Sequence, residues 1–166
     1  MFRLRFYTGL SEESSELNLS SRKRKIDISI QKFNYAPGDT ISGNVALTLK
    51  KPVNAREVSI SLIGEQMVTA TREATSKDIL GYSREKSTGP QRVPIFEFKQ
   101  QLDSEKEYNQ GQEYYFFEIK IPADILSMRP QMTGAIQSSP VKWYLLANLD
   151  IPRGLDISKK VDITIG

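Results

Sequence analysis

The sequence contains no cysteine and no histidine among its 166 residues. The first absence removes any disulfide framework, thiolate nucleophile or Cys-ligated zinc, and it suits a reducing compartment. The second removes the commonest general base and the commonest transition-metal ligand, so Ser-His-Asp triads, His-based zinc sites and imidazole pH switches are excluded. Any catalysis would have to rest on carboxylates, lysine or tyrosine. There is no run of about 18 apolar residues, the least that a membrane-spanning helix needs. The opening MFRLRFYTG is too short and too interrupted by charge to serve as a secretory signal core. These absences set the expectation of a cytoplasmic protein with no cofactor, no metal and no catalytic residues.

Lysine and arginine number 23 against 20 acidic residues, a net charge of +3. All of that excess lies in the first 25 residues, where Arg3, Arg5, Arg22, Lys23, Arg24 and Lys25 stand against Glu12, Glu13 and Glu16. A neutral body with a basic beginning lacks the broad cationic face of nucleic-acid-binding folds, so no specific nucleic-acid partner is expected.

What the chain does have is alternation with period two, the mark of strands with one buried face. Ile26, Ile28 and Ile30 alternate with Lys25, Asp27 and Ser29, and Ile41, Val45, Leu47 and Leu49 alternate with Ser42, Asn44, Thr48 and Lys50. Pro37 and Gly38 between them supply turn chemistry. Val58, Ile60 and Leu62 continue the pattern to Gly64, with Met67 to Thr71 a continuation past a kink or bulge. The polar stretch from Glu73 to Gln91 has little period and reads as an extended connection or a loose hairpin. Pairing resumes at 93–102 and at 113–121, where Tyr115, Phe117, Ile119 and Ile121 share a face. After an irregular connection with a short helical turn at Ala123 to Leu126 come Trp143, Leu145, Ala147, Leu149 and Ile151, then Leu155, Ile157, Val161, Ile163 and Ile165, all expected to point inward. Seven or so strands without a long amphipathic helix predict an all-β fold, a two-sheet antiparallel immunoglobulin-like β-sandwich over residues 25–166. Residues 1–24 read as an edge strand, with Phe2, Leu4 and Phe6 alternating against Arg3, Arg5 and Tyr7, then a Ser/Glu-rich basic linker.

Two segments carry a family signature. Phe33-Asn34-Tyr35-Ala36-Pro37-Gly38-Asp39 with Ile41-Ser42-Gly43-Asn44-Val45 behind it resembles the opening of arrestin-type N-terminal domains, and Val58 to Gly64 resembles the next strand of those domains. Trp143 to Pro152, with Leu155 to Lys160 behind it, resembles the family's aromatic-x-hydrophobic-x-Ala strand and the segment leading into its last strand. Order and spacing agree over roughly residues 25 to 165, and within the family the chain resembles the α-arrestins, the arrestin-fold retromer subunit and the sporulation-control protein with its archaeal relatives. The resemblance implies an arrestin N-domain sandwich, here a stand-alone prokaryotic or archaeal member or an excised domain, because family members usually carry two sandwiches in tandem. It further implies a scaffold or adaptor role in binding a protein partner. No charged residues align with the buried polar core of visual arrestins, so phosphate-triggered activation is not implied.

The candidate binding residues are few. Arg22, Lys23, Arg24 and Lys25 could hold phosphate through charge-assisted hydrogen bonds, although such runs are more often solvated linkers. Among Tyr108, Tyr114, Tyr115, Phe116 and Phe117, strand alternation leaves Tyr114 and Phe116 as the outward pair. Phe2, Leu4 and Phe6 would pair within the chain or with a second copy by strand exchange, giving self-association. Glu97, Glu113, Glu118, Asp150 and Asp156 lie on or beside strands, but no spacing sets two of them at glycosidase distance. Asn18-Leu19-Ser20 matches a glycosylation acceptor that needs a secretory route to matter. The expected function is a non-catalytic adaptor that adds a partner segment at a sheet edge. The alternative is a module that binds carbohydrate or an anionic lipid surface.

Overall fold

The computed structural model describes residues 24–78, 81–129 and 136–166, with the backbone alone at 70–88 and 136–138. Among these residues eleven strands run in chain order: β1 (Arg24–Ile30), β2 (Asn34–Tyr35), β3 (Thr40–Leu49), β4 (Val53–Ala55), β5 (Glu57–Asp78), β6 (Gly81–Asp103), β7 (Lys106–Tyr108), β8 (Gly111–Lys120), β9 (Ile136–Ser138), β10 (Lys142–Asp150) and β11 (Ile157–Ile165). A single 3-10 turn, Ile125–Ser127, is the only helical element among the described residues. It overlaps the helical turn expected at Ala123 to Leu126.

The strands form two layers. One sheet has the order β1-β3-β8, the other β2-β11-β10-β5-β6 with β9 also on β5, and β4 and β7 make a small ladder of their own. Ile41, Val45, Leu47, Phe117 and Ile119 from the first layer meet Val58, Ile60, Leu62, Leu145, Ala147 and Leu149 from the second, all buried. Each large aliphatic side chain removed from water in this way contributes about 1.5–3 kcal/mol before entropy is counted. The odd-numbered residues from Trp143 to Leu149 face this core, as their alternation requires.

Turn chemistry fixes the β2–β3 corner. Gly38 takes φ +88°, a left-handed conformation in which glycine carries no Cβ penalty. Asp39 donates its amide to the Ala36 carbonyl at 3.0 Å, and its carboxylate accepts the Ala36 amide at 3.1 Å and the Lys32 ammonium at 2.9 Å. The Lys32 hydrogen bond, with the Ala36 amide behind it, holds the Asp39 carboxyl below its ordinary range.

Three expectations need correction. Of the two readings of Glu73 to Gln91, the extended connection fails and the hairpin holds, as a continuous ladder: β5 and β6 pair to Asp78↔Gly81, with register shifts at Val58/Ser59 and Gly64/Glu65. The residues of this ribbon do not alternate in hydrophobicity, so period two could not announce the pairing. Leu155 does not point inward; it lies in the β10–β11 turn and is 90% exposed. The strands also outnumber the seven expected, because β2, β4, β7 and β9 are only two or three residues long. The N-terminal edge strand, its linker and Asn18 lie outside the described residues.

Candidate interaction surface

The Tyr114-Tyr115-Phe116-Phe117 run sits in β8, where successive side chains must go to opposite faces. Phe117 is buried and Tyr115 half-buried on the inner face, whereas Tyr114 and Phe116 stand outward at 66% and 64% exposure. Their neighbours on β3 are Ala46 and Asn44, and beyond these on β1 stand Asp27 and Ser29. Short side chains thus border the two rings on the sheet side.

β8 is an edge. It pairs with β3 from Leu49↔Gly111 to Thr40↔Lys120 and with no other strand among the described residues. Natural edges are usually blunted by proline, bulges or inward charge. β1 and β6 are edges as well; β6 has these devices in Pro90, Pro94 and the two register shifts, and β1 carries charge in Arg24, Lys25 and Asp27. β8 has neither proline nor a register shift along its ten residues, and only Glu113 turns a charge inward, at its beginning.

That charge is contained. The Tyr115 hydroxyl lies between Glu113 and Asp103, 3.1 Å from the latter, and Lys106 reaches Asp103 at 2.6 Å and Glu113 at 3.9 Å. Burial, together with the hydrogen bond to Glu113, pushes the Tyr115 hydroxyl far above its ordinary value. Burial acts upward on Asp103 too, but Lys106, the Ser104 amide and Tyr115 together outweigh it and hold that carboxyl low. Asp150 is engaged separately by Arg56 at 3.3 Å, and Asp156 by the Ile151 amide at 3.0 Å and the Asn148 side-chain amide at 3.4 Å. Glu97 and Glu118 are exposed on different sheets. Among the described residues no three acidic side chains converge as a metal site.

The basic run is divided. Arg22 and Lys23 lie outside the described residues, while Arg24 and Lys25 begin β1 and so project to opposite faces. Lys25 is paired with Asp27 at 2.5 Å, and Arg24 sits beside Gly154–Ser158. Phe2, Leu4 and Phe6 also lie outside the described residues.

One concavity went unforeseen. Glu65, Met67, Arg92, Ser139, Lys142 and Lys160 line a cleft of about 240 Å³ beside Tyr144, whose ring lies 3.7 Å from the Lys160 ammonium and whose hydroxyl donates to Glu65 at 2.6 Å. Four strands and the β9–β10 connection contribute to this region, and only their register brings the residues together, so no local pattern could have announced it.

Comparison with known proteins agrees with this architecture. The family described as "Arrestin (or S-antigen), N-terminal domain" matches residues 24–165. Among solved structures, the sporulation control protein Spo0M from Bacillus subtilis is similar with a TM-score of 0.53 and 20% identity, over 86% of this chain and 49% of that one. This chain therefore spans about half the length of the Spo0M chain, and at that identity the likeness concerns the fold. No curated protein sequence matches. With the family match extending over nearly the whole sandwich, the chain belongs to the arrestin N-terminal-domain family.

Proposed function

We propose that this protein is a non-catalytic, cytoplasmic adaptor that takes an extended segment of a partner protein as an added strand along β8. The observation that carries the reading is an unprotected edge strand with two exposed aromatic rings, Tyr114 and Phe116, on its outer face. Backbone groups on the open side of β8 would supply affinity to any extended chain, and pockets for alternate side chains would supply selectivity. The two rings are about 7 Å apart along the strand, the spacing of alternate side chains on an incoming strand. Adaptor and scaffold roles are typical of arrestin folds, which supports the reading without identifying a partner. In this reading residues 25–166 form the binding sandwich, and residues 1–24 an edge strand with Phe2, Leu4 and Phe6 and a basic linker.

Selection from a displayed library of extended peptides, with hydrogen exchange then measured on the complex, tests the proposal. The expected result is peptides with alternating apolar residues, slowed exchange confined to β8, and at least about tenfold weaker binding for Tyr114→Ala/Phe116→Ala. Protection elsewhere, or undiminished binding by that variant, would overturn it. A positive glycan array that depends on the same two rings would favour the carbohydrate alternative.

A further inference from the structure

Leu155 has the spacing of a core residue and is instead the most exposed large apolar side chain among the described residues. Its turn holds it there. Arg153 takes φ 57°, the Gly154 amide donates to the Ile151 carbonyl at 3.2 Å, and the Asp156 carboxylate accepts the Ile151 amide at 3.0 Å. Ile151 is half-buried and packs against the core, and its Cγ2 lies so close to Gly154 that a Cβ there would approach to 2.8 Å. The inward place at this turn is thus filled by Ile151, and Leu155 is left on the outside of a polypeptide loop closed by its own polar groups.

A single exposed leucine is ordinary on a protein surface. This one stands among cations. Strand pairing puts Arg24 opposite Leu49, so the start of β1 adjoins the Lys50–Lys51 turn at the end of β3. Arg24 also borders Gly154–Ser158, which places that turn and the β10–β11 turn at one end of the sandwich. Arg24 and, within the turn itself, Arg153 therefore stand beside Leu155, and the Lys50–Lys51 turn lies at the same end of the sandwich. Of the acids near this turn, Asp156 is occupied within it, Asp150 pairs with Arg56 at 3.3 Å, and Asp27 pairs with Lys25 at 2.5 Å and Lys159 at 4.0 Å. Glu105 and Glu107 lie on the β7 side of this end, beyond the Val53–Ala55 ladder.

We infer that this rim docks on an anionic lipid bilayer, with Leu155 inserted among the acyl chains and Arg24, Lys51 and Arg153 on the headgroups. The combination suits a membrane better than a soluble polyanion, because a polyanion has no use for a projecting leucine, whereas a bilayer rewards both apolar insertion and nearby cations. The acidic β7 side tilts the docked molecule toward β1 and the β10–β11 turn. This surface is separate from Tyr114 and Phe116, so a β8-bound partner and a membrane could be held together.

Flotation of the full chain with phosphatidylcholine vesicles, with and without about 30% phosphatidylserine, tests the inference. Binding is expected only to the anionic vesicles, falling at least about tenfold between roughly 50 and 500 mM salt. Leu155→Ser should weaken it about tenfold, and Lys51→Glu/Arg153→Glu should abolish it, with melting curves unchanged because all three residues are exposed. The absence of cysteine gives a second readout: an environment-sensitive dye on Leu155→Cys should shift to the blue on vesicle binding, whereas the same dye on Ala123→Cys, at the opposite end, should not. Equal binding to neutral vesicles, no vesicle binding at low salt, insensitivity to Leu155→Ser, or binding to nucleic acid but not to vesicles would each overturn the inference.

Discussion

The glycines of the family signature have packing reasons that only the structure discloses. Gly43, in the centre of β3, has the Ile30 side chain and the Phe117 ring across it, so a Cβ would come within 2.8 and 2.9 Å of them and would also collide with the Ser29 carbonyl. Gly64 lies opposite Trp143 in the β5–β10 register, and the indole occupies the place of its missing side chain. Leu-x-Gly and the tryptophan strand, far apart in sequence, are therefore one contact. Gly64→Ala should cost about 1–3 kcal/mol by overpacking, read as a lower urea midpoint with an unchanged slope. A neutral result would mean that Trp143 can move aside. Tyrosines govern the alkaline limit of the fold. Burial, with the charges of Asp103 and Glu113 next in weight, pushes Tyr108 up to about 12, and burial with the Glu65 hydrogen bond pushes Tyr144 up to about 12. An unfolded tyrosine loses its proton near pH 10, so the folded state binds more protons between pH 10 and 12. The stability these groups contribute is whole below pH 10 and lost as pH rises through 12. Urea midpoints should accordingly fall across that window, and Tyr144→Phe should flatten the fall. An equally steep fall in that variant would remove Tyr144 from the explanation.

Among the elements, the β5–β6 ribbon divides into two regions of unequal worth. Up to Ala70, β5 has β10 or β9 on one side and β6 on the other; from Thr71↔Thr88 to Asp78↔Gly81 it has β6 alone among the described residues. A two-stranded ribbon without a third neighbour is marginal in water. Excising residues 74–85 and joining Glu73 to Lys86 through Asn-Gly keeps the pair register, and should alter stability by no more than about 1 kcal/mol. Hydrogen exchange in the parent chain should be fast throughout 71–88 and slow in Val58 to Leu62. A large loss of stability on excision would show that the distal ribbon rests on something in the sandwich. Legibility tracks burial at this scale. Strands with one dry face, such as Thr40–Leu49 and Lys142–Asp150, are evident from alternation, and so is the outward direction of Tyr114 and Phe116. The distal ribbon is not, because its residues from Thr71 to Thr88 carry no alternation of apolar and polar side chains. Leu155 misleads for the opposite reason: it continues the apolar spacing before Ile157, but β11 begins only at Ile157, and a left-handed residue at Arg153 breaks the phase between the strands.

For the whole molecule, the arrangement of edges and rims is what the sequence could not convey. Alternation assigns a residue to a face, but the order of strands in a sheet depends on which buried faces fit, and that order decides that β8 is open and that Arg24, Lys51 and Leu155 share an end. The same order ties early residues to late ones. β2 pairs in parallel with the end of β11 through Thr164↔Asn34 and Ile165↔Tyr35, with the Thr164 amide donating to the Phe33 carbonyl at 2.8 Å and the Gly166 amide to the Tyr35 carbonyl at 3.0 Å. Ile163 and Ile165 are buried beneath this junction, and Ile163 is the register partner of Trp143. If the junction holds the layers together, Ile163→Ala/Ile165→Ala should cost at least about 4 kcal/mol, a large part of the roughly 5–15 kcal/mol available to a domain. Trp143 emission should then move to the red at a lower urea concentration, in step with the loss of far-ultraviolet strand signal. Thr164→Ala, which leaves both isoleucines and the backbone pairing in place, should stay within about 0.5 kcal/mol of the parent. Were the double variant to lose only the Trp143 signal while the strand signal persisted, the β2–β11 junction would be a local clasp, and the two layers would be held by the Val58–Leu62 and Leu145–Leu149 contacts with β3 and β8.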